Sequence, residues 1–398
     1  MQTVSMASAA DGPEASRNMS WSAARALAAR LPDPLKAERV ELSASAGRVL
    51  ASAAYAVLAA PPFDAAAMDG FAVRGTGPWR IVGRVLAGGS AWSGTLTDGD
   101  AVEIATGAVV PVGAEAVVPY EQCRRDGRLV TAERDTRRHI RRAGEDALPG
   151  DELAPAGRRV SATLLAAAAQ AGLDELSVHR RPRVALLITG DEVVLHGRPG
   201  PGQVRDALAP VVTALVTRAG GEVVEHRLLA DHPEALRDAI GATQQVDVVV
   251  ITGSSSAGAA DHLRGVLATL GAYWHVDGVA CRPGRPQSLA STADGRWIVG
   301  LPGNPFAGLV AGLTILEPLV AAMAGRTPPA PVVLPVTGDA TPHPHGVRLV
   351  PVRVGQRHAE VVPGARSGSL RIAAVADALA VLDPNWRSGT TAELLTPP

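Results

Sequence analysis

Cysteine is nearly absent from this chain. Its 398 residues contain only Cys123 and Cys281, which lie far apart, without CxxC spacing or paired histidines. A disulfide framework needs several cysteines, and a structural zinc site needs closely spaced thiolate or imidazole ligands. The sequence therefore predicts neither.

Aromatic residues, lysine and net charge are also scarce. Aromatic residues make up 3% of the chain, so alanine, valine and leucine must provide most of the packing. Lys36 is the only lysine, which indicates a preference for arginine throughout the sequence. A formal net charge of −1 argues against general electrostatic binding to nucleic acid or to an anionic membrane.

We expect neither a secretory signal nor a membrane span. The first twenty residues lack a basic start followed by an apolar block. The most apolar helical pattern, at 309–325, is short and contains Glu317 and Pro318. The sequence predicts a soluble, cytoplasmic protein.

Three short apolar runs each stop at a glycine-containing loop. They occupy 184–189, 246–252 and 297–301, and each is followed by a helical pattern. Apolar strands that alternate with helices predict a parallel sheet covered by helices. Ligands of such folds bind where the strands end and the loops begin.

The elements predicted around these runs form one α/β block. Strands are predicted at 183–189, 222–229, 246–252 and 297–301, an extended segment at 272–282, and helices at 205–219, 233–242, 261–270 and 305–324. Their alternation predicts a doubly wound α/β domain.

The length of the chain predicts two to four domains. Helical segments near both ends of a glycine-rich β region are similar in character, so we expect them to pack together around an inserted domain. The predicted boundaries are 17–50 and 148–180 for a discontinuous, elongated linker domain, 51–147 for the inserted small β domain, 181–327 for the α/β domain, and 328–398 for a C-terminal barrel-like β domain. The predicted class is a multidomain α/β protein.

Carboxylates follow successive strands of the predicted sheet. Asp191 and Glu192 follow the first strand, Asp231 the second, and Asp261 opens the predicted helix after the third. Hard oxygen ligands suit Mg²⁺. Asp231 and Asp261 also precede helical patterns, so each could instead be a helix N-cap. Their expected gathering on one rim favours a metal site.

Two further loops of this block suit an anion. Residues 253–258, Gly-Ser-Ser-Ser-Ala-Gly, offer N–H groups and hydroxyls but lack the spacing of a Rossmann or P-loop motif. Arg282 and Arg285 lie three residues apart on a proline-stiffened turn, which suits a tetrahedral oxyanion. A solvated basic turn is the open alternative.

The predicted inserted domain carries three polar loops. Asp69 lies in a Met-Asp-Gly turn, Thr106 precedes Gly107, and arginines at 141–142 precede Glu145 and Asp146. An anion site at Thr106 competes with a plain β-turn, and a site at Asp146 competes with a solvated ion-pair turn. Together, these patterns predict a phosphate- or nucleotide-binding α/β domain with an acidic rim and an oxyanion turn.

These motifs resemble those of the molybdopterin molybdenumtransferase family, the MoeA and gephyrin E-domain type. The matching pieces are PPFDAAAMDGFAVR (61–74), TGAVVPVGAEAVV (106–118), IRRAGED (140–146), ITGDEV (188–193), GQVRD (202–206), GSSSAGAAD (253–261), RPGRP (282–286) and LPGNP (301–305). Each piece is weak alone, but their shared order is specific.

The resemblance implies four subdomains and a homodimer whose active site combines the α/β domain of one subunit with the inserted β domain of the other. It implies insertion of molybdate into adenylylated molybdopterin, with release of AMP and with Mg²⁺ as cofactor. A molybdopterin adenylyltransferase is an implied partner. No nucleic-acid or membrane partner is expected.

The resemblance also assigns roles to individual residues. It implies catalytic roles for Asp69, Thr106, Asp146, Glu192, Asp231 and Asp261, of which Glu192, Asp231 and Asp261 hold the metal. It implies substrate binding by Gly253, Ser254, Ser255, Ser256, Gly258, Arg282, Arg285, Pro302, Gly303, Asn304, Pro305, Ser367 and Ser369.

Several positions depart from the family pattern. Arginine stands at 282 and 285 where the family usually has lysine, the loop GSSSAG replaces GGVSVG, and Ala307 replaces a common serine. Alanines at 65 and 66 replace asparagine and serine. These departures keep a second hypothesis open: a catalytically weakened paralogue that acts as a pterin- or nucleotide-binding scaffold.

Overall fold

The chain divides into two compact units. The computed structural model describes residues 17–133, 137–253 and 257–397, and the side chains of residues 17 and 257–261 lie outside that description. The central unit is Arg39–Val178, and the terminal unit combines Met1–Glu38 with His179–Pro398.

The described strands are numbered in chain order. They are β1 Arg17–Ser20, β2 Ala37–Glu41, β3 Ala54–Tyr55, β4 Ala65–Ala66, β5 Gly70–Val73, β6 Trp79–Val85, β7 Asp100–Ile104, β8 Ala116–Pro119, β9 Cys123–Asp126, β10 Leu129–Ala132, β11 Ile140–Arg141, β12 Glu152–Ala154, β13 Glu175–His179, β14 Arg183–Thr189, β15 Val193–Val194, β16 Val204–Arg205, β17 Glu222–Leu229, β18 Val248–Thr252, β19 Tyr273–Arg282, β20 Ser288–Ser291, β21 Trp297–Leu301, β22 Val332–Thr337, β23 Val347–Val354, β24 Ala359–Val361, β25 Ala378–Leu382 and β26 Thr391–Leu395.

The described helices are numbered in the same way. They are α1 Trp21–Arg30, α2 Leu42–Ser45, α3 Ala162–Gln170, α4 Leu208–Ala219, α5 Pro233–Ala242, α6 Ala257–Thr269, α7 Pro305–Ala311 and α8 Glu317–Met323. Short 3₁₀ turns occupy Tyr120–Gln122 and Ala373–Val375, and a π-helical turn occupies Gly312–Leu316.

A largely parallel sheet forms the centre of the terminal unit. Strands β17, β14, β18 and β21 lie side by side in parallel, and the sheet continues through the antiparallel strands β20 and β19. Every residue of β18 is buried, as expected for a β-branched run covered on both faces.

Alternate residues of the central strands face different helices, because successive side chains of a strand point to opposite faces. Leu186 and Ile188 belong to a core that includes residues of α1, α4, α7 and α8. Ala185 and Leu187 belong to a second core with residues of α5 and α6. Helices therefore cover both faces of the sheet, and the predicted α/β class is confirmed.

The C-terminal strands close into a barrel-like sheet. The pairings run from β23 through β24, β22, β26 and β25, and β25 pairs again with β23. Val336, Val352, Leu382 and Trp386 are buried inside it. Strand β19 of the α/β sheet also pairs with β23, so the two sheets are continuous.

Helix α1 packs in the terminal unit, which corrects its predicted place in the linker domain. Trp21 is 5% exposed, and its indole Nε1 donates a hydrogen bond to Thr314 Oγ1 at 3.0 Å. Ala24 and Ala28 continue the buried face of the helix. A helix with this buried face fills the large α/β core, although its sequence resembles that of α3.

The central unit contains a sheet in the order β8-β5-β7-β6-β10-β9. Phe71 and Trp79 are each 1% exposed in one of its cores. Helix α3 begins where Ser161 Oγ accepts the Leu164 N–H at 3.2 Å, as predicted from its position before an apolar pattern.

Helix α4 and helix α6 begin away from their predicted positions. Helix α4 begins at Leu208 because Arg205 pairs in a short strand and the N-cap is Ala207, while Asp206 Oδ1 accepts the Leu208 N–H at 2.9 Å. Helix α6 begins at Ala257, in an alanine-rich stretch that favours helix. Asp261 therefore lies within the helix, and its alternative interpretation as an N-cap is wrong.

Three smaller differences concern the edges of the α/β block. Strand β18 begins at residue 248 rather than 246, and strand β20 was not predicted. The N-cap of α5 is His232, so the capping interpretation of Asp231 is also wrong.

The predicted helix at 305–324 is divided by the π-helical turn between α7 and α8. Pro305–Met323 is long and apolar enough to cross a membrane, yet 83% of its most apolar window is buried within the protein. This segment is a core helix of the terminal unit.

Candidate functional site

The carboxyl ends of the parallel strands bring three loops into contact. A Cβ atom placed on Gly253 would lie 2.3 Å from the Thr189 carbonyl oxygen, and one on Gly303 would lie 3.2 Å from Gly253 Cα. Gly253 also has a φ of +88°, which disfavours a side chain. The loops after β14, β18 and β21 therefore meet backbone to backbone at one edge of the sheet.

The acidic rim lies on the loops after β14 and β17. Asp191 Oδ1 accepts the Asp231 N–H at 3.1 Å, so it ties these loops together. The Glu192 carboxylate folds back over Gly190, where an added Cβ would lie 2.8 Å from Oε2. Glu192 and Asp231 are exposed. The supporting role of Asp191 was not predicted, because the resemblance assigns a role to its neighbour Glu192 and none to Asp191.

The carboxylates suit one mode of magnesium binding. Glu192 and Asp231 offer hard oxygen atoms to solvent, while the Asp261 side chain lies outside the described residues. Within the described residues, no group of three or more possible metal ligands forms a closed cluster. Mg²⁺ commonly uses one or two carboxylates together with substrate phosphates and water, which fits this open donor set.

The loop predicted to receive an anion is described only at its two ends. Gly253 follows β18, and Gly258 lies in the first turn of α6. Ser254, Ser255 and Ser256 lie outside the described residues. Thr189 Oγ1 donates a hydrogen bond to the Thr252 carbonyl at 2.9 Å, which joins the ends of β14 and β18 just before the loop.

The turn that carries Arg282 and Arg285 is held in place by a buried side chain, that of Gln287. Gln287 is 1% exposed, and its Nε2 donates to the Gly284 carbonyl at 2.8 Å and to Cys281 Sγ at 3.3 Å. The Arg282–Pro283 peptide bond is cis. Gln287 supports the turn through hydrogen bonds to residues three and six positions before it, and the sequence did not indicate its burial.

Both arginines of this turn are exposed. Arg285 Nε donates to Asn18 Oδ1 at 2.9 Å. Among the described side chains, no carboxylate lies within ion-pair distance of Arg282 or Arg285. The turn therefore presents two cations whose charge is available to an anion.

The start of α7 contacts this turn and also the sheet edge formed by Gly253 and Gly303, which we call the glycine edge. A Cβ on Gly284 would lie 3.2 Å from the Ala307 carbonyl oxygen, while Gly303 lies against Gly253. The Ser367 carbonyl accepts the Phe306 N–H at 3.0 Å, and Gly368 faces Asn304.

The structure thus brings together several of the residues predicted to bind substrate. They are Arg282, Arg285, Pro302, Gly303, Asn304, Pro305 and Ser367. Ser369 follows Ser367 by two residues, in a turn that its N–H closes by bonding to the Arg366 carbonyl. These residues surround the first turn of α7.

In the central unit, Asp69 joins two loops. Its Oδ1 accepts the Thr106 N–H at 2.7 Å, and its carbonyl accepts the Tyr120 N–H at 3.1 Å. Gly70 must be glycine, because a Cβ there would lie 2.0 Å from the Val118 carbonyl oxygen. Asp69 and Thr106 are therefore neighbours.

Asp146 lies in a network of exposed ion pairs. Its carboxylate pairs with Arg141, whose Nε also donates to Glu145 Oε1 at 2.7 Å. This geometry matches the ion-pair turn considered from the sequence. Asp64 also contacts this turn, because its Oδ1 accepts the Ala143 N–H at 2.8 Å. That bond, with the Arg142 guanidinium, lowers the pKa of Asp64 despite partial burial.

Two family models match most of the chain. The model of the MoeA N-terminal region (domain I and II) matches residues 19–172. The model of the probable molybdopterin binding domain matches residues 185–322.

Named relatives cover a similar extent. A molybdopterin molybdenumtransferase from Haemophilus influenzae is 33% identical over 308 residues, which cover 75% of each chain. One from Nostoc sp. is 34% identical over 317 residues, covering 75% of this chain and 72% of the relative. The crystal structure of a molybdopterin biosynthesis MoeA protein from Pyrococcus horikosii is similar, with a TM-score of 0.78 and 25% identity, covering 96% of this chain and 99% of that one. This chain belongs to the molybdopterin molybdenumtransferase family.

Proposed function

We propose that this protein inserts molybdate into adenylylated molybdopterin and releases AMP, as a molybdenumtransferase of molybdenum cofactor biosynthesis. One observation carries the proposal: the start of α7 contacts both the glycine edge of the sheet and the turn of Arg282 and Arg285. A phosphate-binding edge and an oxyanion-binding turn therefore share one supporting element. The transferase names of the relatives favour this activity over the scaffold hypothesis.

Arg282 and Arg285 would hold molybdate. Molybdate carries two negative charges, and a dianion is bound out of water only where cations and hydrogen-bond donors replace its hydration. Arginine presents forked donors that suit an oxyanion, so both positions can serve without lysine.

The glycine edge would receive the adenylyl phosphate of the substrate. Close contact between Gly253 and Gly303 leaves the edge without side chains that would keep a phosphate away from the backbone. Gly258, in the first turn of α6, lies where helix N–H groups favour an anion. We assign Ser254, Ser255 and Ser256 to the same phosphate-binding loop.

Glu192 and Asp231, together with Asp261, would hold Mg²⁺. When bound, the metal would neutralise phosphate charge and polarise the phosphoanhydride as a Lewis acid. Asp191 positions the Asp231 loop through its bond to the Asp231 N–H.

We further propose that the protein is a cytoplasmic homodimer in which the second subunit contributes Asp69, Thr106 and Asp146. Asp69 holds the Thr106 N–H, so this loop presents a fixed hydroxyl and carboxylate. A molybdopterin adenylyltransferase would supply the substrate.

The activity is tested with purified protein, adenylylated molybdopterin, molybdate and Mg²⁺, by measuring AMP release and formation of active cofactor. Wild-type protein should turn over, and Arg282→Gln should lower the rate at least tenfold by removing a molybdate-binding cation. The matched control is Arg237→Gln, because Arg237 is an exposed arginine paired with Asp238 on α5 of the same unit. Tight pterin binding without AMP release would instead support the scaffold hypothesis.

A further inference from the structure

A loop of the C-terminal barrel packs beside the turn of Arg282 and Arg285. We call residues 341–346, Thr-Pro-His-Pro-His-Gly, the His-Pro loop. Its last residue presses on β19, because a Cβ on Gly346 would lie 2.1 Å from the Ala280 carbonyl oxygen. The next residues pair with the end of β19, where Arg348 aligns with Arg282.

The His-Pro loop is folded back by its own contacts. Arg348 Nη1 donates to the Thr341 carbonyl at 3.0 Å, and the Gly346 N–H reaches the His343 carbonyl at 3.4 Å. The imidazoles of His343 and His345 meet edge to face, with their centroids 6.2 Å apart. His343 is half-buried, whereas His345 is exposed.

Positive groups act on His343 from the arginine turn, from β23 and from its own loop. Partial burial is the largest cause that lowers the pKa of His343, followed by the charges of Arg282, His345, Arg348 and Arg285. Among the described residues, no carboxylate offsets these positive charges at His343. Positive charges near an imidazole disfavour its protonation, and a bound anion would offset them.

We propose that His343 is a protonatable member of the oxyanion site, which takes up a proton when a tetrahedral dianion binds beside Arg282 and Arg285. The inference rests on the proposed function, because that function places molybdate at this turn. It adds a group from the C-terminal barrel to the two arginines of β19. It also makes anion binding depend on pH, although arginine itself does not titrate in the physiological range.

The direction of the pH effect follows from the charges. A bound dianion favours the imidazolium form, so it raises the pKa of His343 towards or above its usual range. Because binding and protonation are then coupled, oxyanion affinity rises as the pH falls. Each pKa unit by which the anion raises His343 corresponds to about a tenfold difference in affinity between the low-pH and high-pH limits.

The test is calorimetric titration of the full-length protein with dilute molybdate between about pH 6 and pH 8, in two buffers with different ionisation enthalpies. The difference in heat between the buffers gives the number of protons taken up on binding. We expect proton uptake by the wild-type protein and an affinity that falls about three- to tenfold across this range. Sulfate is a second dianionic probe and should show the same trend.

Variants of His343 and His345 test which of the two residues takes up the proton when molybdate binds. His343→Gln should bind molybdate without proton uptake and with little pH dependence, whereas His343→Arg should bind it with a pH-independent affinity at least as high as that of wild type. His345→Gln is the matched control and should retain proton uptake. Wild-type binding without proton uptake, or unchanged uptake in His343→Gln, overturns the role of His343.

The AMP-release assay separates this inference from the proposed function. Intact AMP release with no proton linkage overturns the role of His343 alone. Failure of wild-type protein to bind molybdate at any pH, together with absent AMP release, contradicts both proposals.

Discussion

At the scale of single residues, the departures from the family pattern that lie within the described residues fit their surroundings. Ala65 and Ala66 are buried in β4, which pairs with β11, so small apolar side chains suit both positions. Ala307 is 4% exposed, and its carbonyl oxygen faces the Gly284 turn. Arg282 and Arg285 are both exposed, so neither guanidinium group is buried. None of these changes disrupts the arrangement around the start of α7.

Cys281 lies beneath the oxyanion turn, and its environment gives a prediction. Its Sγ contacts the Pro283 carbonyl at 3.4 Å, and burial raises the pKa of the thiol to about 12. The thiolate is the reactive form, so iodoacetamide should leave Cys281 unmodified in native protein near pH 8 and modify it after unfolding. Cys123, which is only half-buried, is the internal comparison. Peptide mass spectrometry measures both, and equal native labelling would contradict this environment.

The same thiol affects stability at alkaline pH. The folded state keeps Cys281 protonated, while the unfolded chain loses that proton above its ordinary pKa of 9.0. The unfolded state then binds fewer protons, so Cys281 lowers the free energy of unfolding as pH rises, by about 1.4 kcal/mol per pH unit until the folded pKa is reached. Cys281→Ala should reduce this alkaline loss in denaturant titrations.

At the scale of elements, much of the sheet edge was predictable. Apolar runs that stop at glycine identified β14, β18 and β21, and parallel strands place their following loops at one edge. The support of the arginine turn was not predictable. Arg285 and Asn18 are 267 positions apart in the sequence, and the contact between Gly284 and Ala307 depends on how α7 packs. Local patterns predict strands and turns, but they contain no information about such distant partners.

Helix α1 shows the same limit. Its sequence resembles that of α3, and both helices have a serine N-cap. What separates them is tertiary packing, because Trp21 reaches Thr314 in the π-helical turn between α7 and α8. Helix propensity and apolar periodicity predicted the helix. The unit to which it belongs depends on its packing against Thr314, almost three hundred residues away in the sequence.

Within the glycine edge, we expect a substitution of Gly253 to destabilise the protein most. Gly253→Ala would add a Cβ 2.3 Å from the Thr189 carbonyl oxygen at a φ of +88°. Strain and overpacking should lower the free energy of unfolding by roughly 2–4 kcal/mol. Gly265→Ala in α6 is the matched control, because a Cβ there meets nothing within 4 Å and alanine favours helix. Denaturant unfolding measures both variants, and equal stabilities would contradict the close backbone approach.

At the scale of the whole molecule, the proposed residues come from both units. Asp69 and Thr106 belong to the central unit, whereas Glu192, Asp231 and Arg282 belong to the terminal unit. The proposed dimer makes each active site draw on two chains. In that case, a defect in Asp69 of one chain and a defect in Arg282 of the other fall in the same site of a mixed dimer, and the second site is intact.

Mixing two inactive variants tests this arrangement. Asp69→Asn and Arg282→Gln homodimers should each release little AMP. After denaturation and joint refolding at equal amounts, half of the dimers should be mixed and each should contain one intact site, so that activity returns to about a quarter of the wild-type value. Refolded wild-type protein sets the scale, and each variant refolded alone is the control. If each site used residues of one chain only, every site in the mixture would carry a defect, and AMP release would stay at the level of the separate variants.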